Sequence, residues 1–505
     1  MPGGMLSKVH AGCLVGIEAH PVTVEAQLER GLPGLEVVGL AERAVRESRV
    51  RVRAALGAEG FELPKKRMVL NLAPGDLPKG GAGFDLAMAV AILAASGAIG
   101  TERLGETLLI GELSLAGGLR PVRGALPQLR SACARGLRRA IVPAGNRAEG
   151  ALVEAMEVLV ARSLREVVGW LNGEGTLACA EPTAGPEPGP GDDMMDVRGQ
   201  EAARRALEIA MAGGHHLLFI GPPGAGKTML ARRARGLLPL PEPAEALEIA
   251  TIASAAGLRA SSQLATVERP FRAPHHTASA AALVGGGDPV RPGEVTLAHG
   301  GVLFLDELPE FRREAIETLR TIMETGEVVV TRVRQRVRMP AAPLVIGAMN
   351  PCPCGYAGDP KRLCTCSPDR VERYRARVSG PILDRFDLHV VLPAVDLRAL
   401  RKALPGEPTE VVRTRVEAAR RRRRPRDGAA QSLDSLLAGT CAEGLQLLDA
   451  AIDRLGLSAR GYVKALRVAR TIAELEDRAQ ANARDVAEAL QYRALDRPMQ
   501  TGGDR

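Results

Sequence analysis

The middle of the chain contains three short runs in which every residue is apolar, and these runs predict buried strands. They are LLFI at 217–220, VLFL at 302–305 and PLVIGAM at 343–349. Parallel strands that are covered on both faces show continuous hydrophobic runs of this kind instead of alternation. Helical patterns separate the runs, so the segment from Met195 onward is predicted to form a doubly wound α/β domain.

The last part of the chain shows a different pattern. After about Pro393 the strand patterns stop, and apolar residues recur at helical spacing in segments 445–456, 459–476 and 483–495. We therefore predict a C-terminal helical domain. A further apolar run at 86–100 is shorter than the roughly 20 residues that cross a bilayer, so we interpret it as a buried helix and expect no membrane span.

A segment rich in proline and glycine separates two folding units. EPTAGPEPGPG, residues 181–191, has no hydrophobic periodicity and is typical of a solvated linker. The predicted organisation is an N-terminal domain at 1–180, a linker at 181–194, an α/β domain at 195–395 and a helical domain at 396–505.

Composition restricts the function only weakly. The formal charge of +8 permits a polyanionic partner such as nucleic acid without requiring one. The N-terminal segment MPGGMLSKVHAGC lacks the features of a secretory signal, which predicts a cytoplasmic protein. Aromatic residues are only 2% of the chain, so DNA binding would depend mainly on contacts with the phosphate backbone.

The sequence GPPGAGKT directly follows the first predicted strand and has the spacing of a phosphate-binding loop. Its glycines allow backbone N–H groups to turn toward phosphates, and the next helix adds a favourable dipole. Lys227 is predicted to reach the β and γ phosphates of ATP, and Thr228 to bind Mg²⁺. The predicted nucleotide-binding residues are Gly221, Pro222, Pro223, Gly224, Ala225, Gly226, Lys227 and Thr228.

Three polar residues follow the other two predicted strands. Asp306 and Glu307 end the run GGVLFLDEL, where Asp306 can complete the Mg²⁺ shell and Glu307 can polarise the attacking water. The third strand ends at Asn350, which is suitably placed to orient that water, whereas the alternative is ordinary turn chemistry. The sequence thus predicts ATP hydrolysis.

The motifs GPPGAGKT, FLDEL, AMNPCPCG and GPILDRFDLHV together resemble the AAA+ ATPases, specifically their magnesium-chelatase-like branch. The resemblance implies a P-loop α/β domain with a helical lid, assembled in a ring that is usually hexameric, with ATP bound between subunits. It implies that Arg385 is an arginine finger that reaches the γ-phosphate of a neighbouring subunit. The alternative for Arg385 is an ion pair with Asp384 or Asp387.

The same resemblance assigns a second arginine. Arg460, in LSARGYVKALRVAR, matches the sensor arginine on the helical lid, which would bring lid movement under nucleotide control. Arg467 and Arg470 lie close by and are alternatives for that assignment.

The resemblance continues outside the ATPase motifs. The Pro/Gly linker, an N-terminal segment containing PKGGAGFDLAMA and a four-cysteine insertion together resemble the competence-associated ComM/YifB family over nearly the whole chain. That family resemblance implies a hexameric, ATP-dependent DNA helicase that promotes branch migration and heteroduplex extension in homologous recombination, including natural transformation, with recombination proteins as potential partners. The alternatives are a magnesium-chelatase-type ATPase subunit and, with less support, a Lon-like ATP-dependent protease.

A basic segment precedes the third predicted strand. In EVVVTRVRQRVRMP the odd-numbered residues of 329–337 alternate with the even-numbered residues of 330–338, which predicts a strand or hairpin with one basic face. Phosphate contacts from such a face give sequence-independent DNA binding, and the alternative is a solvated edge strand. The candidate DNA-binding residues are Arg332, Arg334 and Arg336. A denser arginine run at 420–426 is more typical of a solvated helix end or tail.

The segment at 269–301 is larger than a minimal connection requires and resembles the insertion that members of this branch project into the ring pore. It contains adjacent histidines, His275 and His276. Such a pair without a third nearby ligand is more often part of a polar loop than of a metal site, so we predict no catalytic role for either histidine.

Two N-terminal stretches, MVLNLAPGDLPKGGAGFDLAMAVAILAASG and LIGELSLAGGLRPVRGALPQLRSA, resemble the proteolytic domain of Lon-type proteases, an α+β domain of the ribosomal-protein-S5 domain 2-like fold. A Ser/Lys dyad needs a hydroxyl nucleophile and a nearby amine. Gly83 stands at the serine position and Leu126 at the lysine position. We therefore expect no peptidase activity and interpret the domain as an assembly or DNA-contact platform.

Four of the eight cysteines lie within fifteen residues, in the pattern CPC, nine residues, CTC. Cys352, Cys354, Cys364 and Cys366 form a plausible Cys₄ site for structural Zn²⁺, because four thiolates leave no open coordination position. In a reducing cytoplasm clustered cysteines more often hold metal or do redox work than form disulfides. Free or redox-active thiols are the alternative.

Overall fold

The computed structural model describes residues 6–40, 42–182, 191–258, 263–332, 336–359, 362–395, 401, 403–423, 432–455 and 458–493. Three segments of interest lie outside them: the centre of the predicted linker at 183–190, Arg334, and the end of the arginine run at 424–426. Below, residues 6–182 are the N-terminal unit, 191–395 the central unit and 401–493 the C-terminal unit.

The N-terminal unit is built on a mixed sheet. Its strands are β1 Leu6–Val15, β2 Glu18–Glu29, β3 Gly34–Val38, β4 Arg67–Ala73, β5 Thr107–Leu109, β6 Glu112–Leu113, β7 Leu119–Arg120, β8 Arg139–Pro143, β9 Glu157–Ala161 and β10 Ala178–Cys179. Eight of them lie side by side in the order β10, β9, β8, β5, β1, β2, β4, β3. The long antiparallel pair β1 and β2 forms the centre, and β5, β8 and β9 run parallel to β1.

Five helices accompany this sheet: α1 Arg43–Ala58, α2 Asp85–Ala95, α3 Ala125–Ala134, α4 Arg147–Gly150 and α5 Leu164–Leu171. Every residue of α2 is buried, which confirms the predicted buried helix. Its one charged residue, Asp85, pairs with Arg51 at 2.7 Å and accepts a hydrogen bond from the Leu113 N–H at 3.1 Å. Because this carboxylate is satisfied, the helix can lie in the core.

The central unit contains a five-stranded parallel sheet in the order β12, β15, β18, β11, β19. Its strands and small hairpins are β11 Leu217–Ile220, β12 Phe271–Arg272, β13 Gly285–Gly286, β14 Arg291–Pro292, β15 Val302–Leu305, β16 Glu327–Thr331, β17 Arg336–Pro340, β18 Leu344–Met349 and β19 Leu388–Val391. Every residue of β11, β15 and β18 is buried, which confirms the three predicted strands. Strand β12 follows β11 in sequence but lies at the edge of the sheet and not beside β11. Because of this strand order, a crevice forms at the carboxyl end of β11, which is where α/β folds bind ligands.

Helices of the central unit are α6 Glu201–Gly213, α7 Lys227–Leu237, α8 Pro243–Ala256, α9 Ala280–Val284, α10 Glu294–Leu297, α11 Arg313–Thr325, α12 Pro368–Arg375 and α13 Gly380–Leu383. The C-terminal unit contains α14 Thr409–Arg423, α15 Leu433–Ala438, α16 Ala442–Leu455, α17 Ala459–Leu475 and α18 Ala483–Gln491. Its predicted helical character is therefore confirmed, and the multidomain α/β class holds. Val416, Leu466 and Ile472 share one buried core with the central sheet.

The arginine run at the end of α14 binds the ends of other helices. Arg420 donates to the Met211 carbonyl at 2.9 Å and Arg423 to the Gly213 carbonyl at 2.6 Å, both in the last turn of α6. Arg422 donates to the Glu474 carbonyl in α17 at 2.9 Å. Carbonyls in the last turn of a helix lack a full set of intrahelical partners and attract cations, so Arg420, Arg422 and Arg423 fasten α14 to its neighbours. The expectation of a solvated helix end was wrong for these three arginines, whereas the Arg421 side chain is 72% exposed.

The basic segment forms the hairpin of β16 and β17, but the predicted faces need a correction. Val330 was grouped with the arginines, whereas it is buried and pairs with Val337. The exposed face instead carries Val329 and Thr331 opposite Arg338 and Arg336. In this hairpin each odd-numbered residue of one strand pairs with an even-numbered residue of the other. The exposed face therefore carries odd-numbered residues in β16 and even-numbered residues in β17, and one odd–even alternation cannot describe both strands.

Helix α8 of the central unit packs against the N-terminal unit. Leu126 is fully buried in a cluster with Ala246, Ile249 and Ala250 of α8. The backbone N–H of Leu126 donates to Ser254 Oγ at 3.2 Å. The position that a lysine would occupy in a Lon-type dyad is thus covered by a helix. Among the described residues, no helix is long and apolar enough to cross a membrane.

Replacing Leu126 with Lys should destabilise the protein by about 3 kcal/mol or more, because an ammonium group would have to be buried among the apolar side chains of Leu152, Ala246 and Ile249. The matched Leu126→Met variant keeps the volume and should cost less than about 1.5 kcal/mol. Chemical unfolding measures both. Equal stability of Leu126→Lys and the unaltered protein would show that α8 does not cover this position in solution.

Candidate nucleotide site

The phosphate loop lies between β11 and α7, as the sequence predicts. Gly224 and Gly226 have φ values of +79° and +91°, in the left-handed region that glycine adopts without strain. Gly221 packs against the chain after β19, since a Cβ at that position would lie 2.8 Å from the Leu392 carbonyl oxygen. This backbone leaves the N–H groups at the start of α7 available for an anion.

Lys227 is the first residue of α7 and its ammonium group is held by three oxygen atoms. Nζ donates to the carbonyls of Gly221 at 2.6 Å and Pro222 at 3.0 Å, and to Asn350 Oδ1 at 3.0 Å. Burial lowers the pKa of Lys227, and the carboxylates of Asp306 and Glu307 partly oppose that shift. The predicted residues Lys227 and Asn350 therefore meet, although they are far apart in sequence.

Thr228 and Asp306 form a second contact across the crevice. Thr228 Oγ1 donates to Asp306 Oδ2 at 2.8 Å, while Asp306 Oδ1 accepts a hydrogen bond from the Glu307 N–H at 3.0 Å. A hydroxyl and a carboxylate are the hard oxygen ligands that Mg²⁺ prefers beside phosphates. The donor set thus fits the predicted Mg²⁺ ion, which Thr228 and Asp306 would hold.

Glu307 contacts His276, a neighbour that the sequence does not predict for it. His276 Nδ1 lies 3.1 Å from Glu307 Oε2, and the His276 ring lies 4.1 Å from that of His275. Glu307 has a φ of +53°, which is unusual for a residue with a side chain. Strand β12 lies beside β15 in the sheet, and this adjacency brings the two histidines to the acidic end. A cavity of about 630 Å³ opens here, and Thr228 and Asp306 also line it.

Arg385 does not lie at the phosphate loop of its own chain. It is 8% exposed and forms an ion pair with Glu324 at the end of α11, so neither predicted alternative partner holds it. Asp387 instead pairs with Lys464 at 3.1 Å. The buried Nε of Arg385 has no hydrogen-bond partner among the described residues.

Arg460 is exposed in the first turn of α17, and neither of the two cavities beside the phosphate loop includes it. Of its two alternatives, Arg470 is committed to packing, because it donates to the Gly439 carbonyl at 3.2 Å and pairs with Glu474 at 3.3 Å. The single chain thus brings together Lys227, Thr228, Asp306, Glu307 and Asn350, and leaves Arg385 and Arg460 outside that group.

The four clustered cysteines come together directly after Asn350. Their sulfur atoms all lie within 4.8 Å of one another. Cys352 Sγ is 3.3 Å from Cys354 Sγ and 3.6 Å from Cys364 Sγ. Four sulfurs around a tetrahedral Zn²⁺ at about 2.3 Å stand roughly 3.8 Å apart, so the donor set fits zinc.

The sulfur atoms of this cluster differ in acidity. The N–H groups of Tyr356 and Thr365 lower the pKa of the Cys354 thiol to about 6. The pKa of Cys364 rises to about 12 although the Cys366 N–H donates to it, because desolvation and the neighbouring sulfurs disfavour a further thiolate. Backbone donors aimed at sulfur stabilise the thiolate form, which is the form that binds metal.

Two of the candidate DNA-binding arginines, Arg332 and Arg336, are exposed at the β16–β17 hairpin, and the third, Arg334, lies outside the described residues. Arg336 and Arg338 point away from the core, and the Arg332 guanidinium would lie 3.2 Å from a Cβ added at Gly286 in the neighbouring insertion. The opposite side of the hairpin is buried, with Val337 and Met339 in one cluster with Ile17 of the N-terminal unit. The hairpin is therefore fixed at its base and basic at its surface.

Three family models match the chain. "Magnesium chelatase, subunit ChlI" matches residues 193–400, "Subunit ChlI of Mg-chelatase" matches 24–146, and "Magnesium chelatase, subunit ChlI C-terminal" matches 406–493. Together the three models span most of the N-terminal unit, the central unit and the C-terminal unit.

Similar proteins cover the chain almost completely. YifB of Escherichia coli (strain K12) is 44% identical in an alignment of 499 positions that covers 97% of this chain and 98% of YifB. Competence protein ComM of Haemophilus influenzae is 41% identical in an alignment of 507 positions that covers 98% of this chain and 99% of ComM. Lon protease 2 of Bacillus subtilis is 32% identical over 145 residues, which are 27% of this chain and 26% of that protease.

Glu307→Gln should keep the affinity for Mg²⁺ and ATP but lower the hydrolysis rate at least about 100-fold, because an amide cannot act as a general base. Glu310→Gln is the matched control, since Glu310 follows on the same loop but pairs with Arg377 at 2.9 Å. Steady-state hydrolysis and nucleotide titration of both variants measure this. Full activity of Glu307→Gln would exclude the assigned base.

Proposed function

The chain belongs to the ComM/YifB family of magnesium-chelatase-like AAA+ proteins, and we propose that it is a hexameric, ATP-driven DNA helicase that promotes branch migration and heteroduplex extension in homologous recombination. In an organism that takes up DNA, this activity includes natural transformation. The proposal places the protein in the cytoplasm, with DNA and recombination proteins as its partners.

The contact group of Lys227, Thr228, Asp306, Glu307 and Asn350 is the observation that carries ATP hydrolysis. Lys227 and the loop N–H groups bind the β and γ phosphates, while Thr228 and Asp306 hold Mg²⁺. Glu307 polarises the attacking water and Asn350 orients it. The family membership supports an ATPase of the ComM/YifB type.

A ring completes this site through arginines of adjacent subunits. In the proposal Arg385 reaches the γ-phosphate in the neighbouring subunit, and Arg460 on the lid senses the nucleotide. The single chain holds Arg385 in its ion pair with Glu324, so ring assembly has to break that pair or replace it by phosphate oxygens. Hydrolysis is therefore coupled to assembly.

DNA contacts are assigned to the exposed arginines of the β16–β17 hairpin and to Arg334. Guanidinium groups at a pore bind phosphates independently of the base sequence. A motor that translocates along DNA needs such sequence-independent binding. The name of the relative ComM connects that protein with competence, which supports a role with DNA for this chain.

The N-terminal unit, with a boundary proposed at residue 180, is assigned the Lon-like, ribosomal-protein-S5 domain 2-like fold without peptidase activity. The similarity to Lon protease 2 supports that fold. Gly83 carries no nucleophilic side chain, and Leu126 is buried under α8. The unit therefore lacks a Ser/Lys dyad, and we assign it the role of a platform. The proposal sets the linker at 181–194, the ATPase core at 195–395 and the lid at 396–505.

A second candidate function is that of a magnesium-chelatase ATPase subunit, because all three matching family models carry that description. Such a subunit drives metal insertion with partner proteins and does not need DNA. The two functions differ in one measurable property, which is whether branched DNA stimulates ATP hydrolysis.

Purified protein with Mg²⁺, ATP and a labelled three- or four-way DNA junction tests the proposal directly. We expect DNA-stimulated hydrolysis and conversion of the junction, both absent in Lys227→Ala, and no digestion of casein. Hydrolysis that DNA does not stimulate, together with unprocessed junctions, would exclude the DNA motor and favour the chelatase function.

The combined variant Arg332→Ala, Arg336→Ala and Arg338→Ala should bind DNA more weakly at low salt and depend less on salt. The slope of log K against log salt should decrease in magnitude by about two to three, since each phosphate contact contributes about 0.7 to 0.9. Nucleotide binding should not change.

The matched control removes three positive charges elsewhere: Arg120→Ala, Arg138→Ala and Arg165→Ala, whose side chains in the N-terminal unit are 63%, 75% and 70% exposed. Its salt slope should equal that of the unaltered protein. Equal slopes for both combined variants would place the DNA surface elsewhere.

We also propose that Cys352, Cys354, Cys364 and Cys366 hold one structural Zn²⁺ per chain. Purified protein should contain about one equivalent of zinc, and Cys364→Ser should contain less than about half an equivalent and unfold at a lower temperature. Cys179→Ser, which removes an exposed cysteine outside the cluster, should change neither quantity. A low zinc content that Cys364→Ser does not reduce would favour free thiols.

A further inference from the structure

A cavity of about 800 Å³ lies on the other side of the phosphate loop from Asp306 and Glu307. One wall is the loop itself, from Pro222 to Gly226, with Met229 and Leu230 of α7. Thr228, Asp306 and Glu307 line the other cavity, the one of about 630 Å³ described above. Two cavities therefore flank one phosphate loop, and only one of them contains the groups for Mg²⁺ and the attacking water.

This division fixes the direction of a bound nucleotide. Its terminal phosphate and Mg²⁺ belong on the side of Thr228 and Asp306. The other end of the molecule, which carries the ribose and the base, then extends past Pro222 and Gly226 into the larger cavity. A cavity of this size accepts a purine nucleoside with room for water.

The opposite wall of the larger cavity comes from the cysteine loop, defined here as residues 352–359 and 362–366. Tyr356, Asp359 and Arg362 line the cavity. The loop touches the phosphate loop at Gly355, which has a φ of +85° and whose added Cβ would lie 2.6 Å from Pro223 Cδ. A side chain at Gly355 would push the two loops apart, so their spacing depends on this glycine.

Tyr356 and Arg362 form a preassembled pair on that wall. The Arg362 guanidinium donates to the Tyr356 hydroxyl at 2.6 Å, and its central carbon lies 5.0 Å from the centroid of the Tyr356 ring. The Arg362 N–H also donates to Asp359 Oδ1 at 3.1 Å. An aromatic ring and a guanidinium plane are surfaces on which bases stack, and a carboxylate can accept hydrogen bonds from ribose hydroxyls.

The four sulfurs bracket this pair in sequence. Cys354 precedes Tyr356 by two residues and Cys364 follows Arg362 by two residues. The sulfurs of Cys354 and Cys364 lie 3.6 Å apart, so the cluster brings both ends of the loop together and restricts where Tyr356 and Arg362 can lie.

We propose that the cysteine loop is part of the nucleotide-binding site, in which Tyr356 and Arg362 contact the purine and ribose of the bound nucleotide and the cysteine cluster positions them. This inference rests on the proposed ATP site and adds to it the side of the site that recognises the nucleoside. The cysteine insertion then serves nucleotide binding within its own chain.

Equilibrium binding of ADP and of inorganic tripolyphosphate to the full-length protein tests the inference. Tripolyphosphate occupies the phosphate loop but carries no nucleoside. Tyr356→Ala and Arg362→Ala should each bind ADP about tenfold more weakly, in line with the contribution of one stacked base, and should bind tripolyphosphate within about twofold of the unaltered protein. Tyr356→Phe, which keeps the ring, should stay close to the unaltered affinity for ADP.

Arg373→Ala is the matched control, because Arg373 is exposed on α12 and its guanidinium donates to the Asp369 carbonyl at 3.2 Å, outside the cavity. It should leave both affinities unchanged. Cys364→Ser should weaken ADP binding selectively, as Tyr356→Ala does, if the cluster positions the pair.

Unchanged ADP affinity in Tyr356→Ala and Arg362→Ala would overturn the inference, as would equal losses for ADP and tripolyphosphate. Lys227→Ala should bind neither ADP nor tripolyphosphate, because it lacks the phosphate contact that both ligands share. Loss of both affinities therefore indicates failure of the phosphate site itself. A protein that binds ADP through Tyr356 but does not process junctions would refute the DNA motor and leave this inference intact.

Discussion

The candidate nucleotide site depends on the hydrogen bonds of the Lys227 ammonium group. Its Nζ donates hydrogen bonds to two carbonyls of the phosphate loop and to Oδ1 of Asn350, directly after β18. A partly buried cation needs such acceptors, and phosphate oxygens are the stronger substitute. In the proposed function, phosphate oxygens of ATP would replace these acceptors and release Asn350, which would couple occupancy of the loop to the chain that follows β18.

The chain that follows β18 is the cysteine loop, and its position explains why that loop matters. It begins two residues after Asn350 and packs on Pro223 through Gly355. The other attachments of the nucleotide site are equally direct. Helix α8 carries the N-terminal unit, and the buried side of the β16–β17 hairpin packs on Ile17 of that unit. Among the described residues, packed elements thus connect the candidate nucleotide site, the basic hairpin and the N-terminal unit.

The sequence predicts the parts of this arrangement that depend on local pattern. Continuous apolar runs identify the strands, and strand ends identify Asp306, Glu307 and Asn350, because parallel strands bring their carboxyl ends to one edge. Contacts between distant segments are not encoded locally. The sequence does not reveal that His276 reaches Glu307, that Glu324 holds Arg385, or that the arginines of α14 bind helix ends. The hairpin faces were misassigned because the register changes parity at the turn, and Tyr356 had no motif to mark it.

In the proposed site, one phosphate loop separates the cavity for hydrolysis from the cavity for the nucleoside, which the cysteine loop closes. A structure of the protein with Mg²⁺ and a non-hydrolysable ATP analogue tests this most directly. We predict Mg²⁺ bound to Thr228 Oγ1 and Asp306, Lys227 Nζ moved from Asn350 to the phosphates, and the purine beside Tyr356 and Arg362. A purine outside that cavity, or Lys227 still bound to Asn350 with nucleotide present, would contradict the claim.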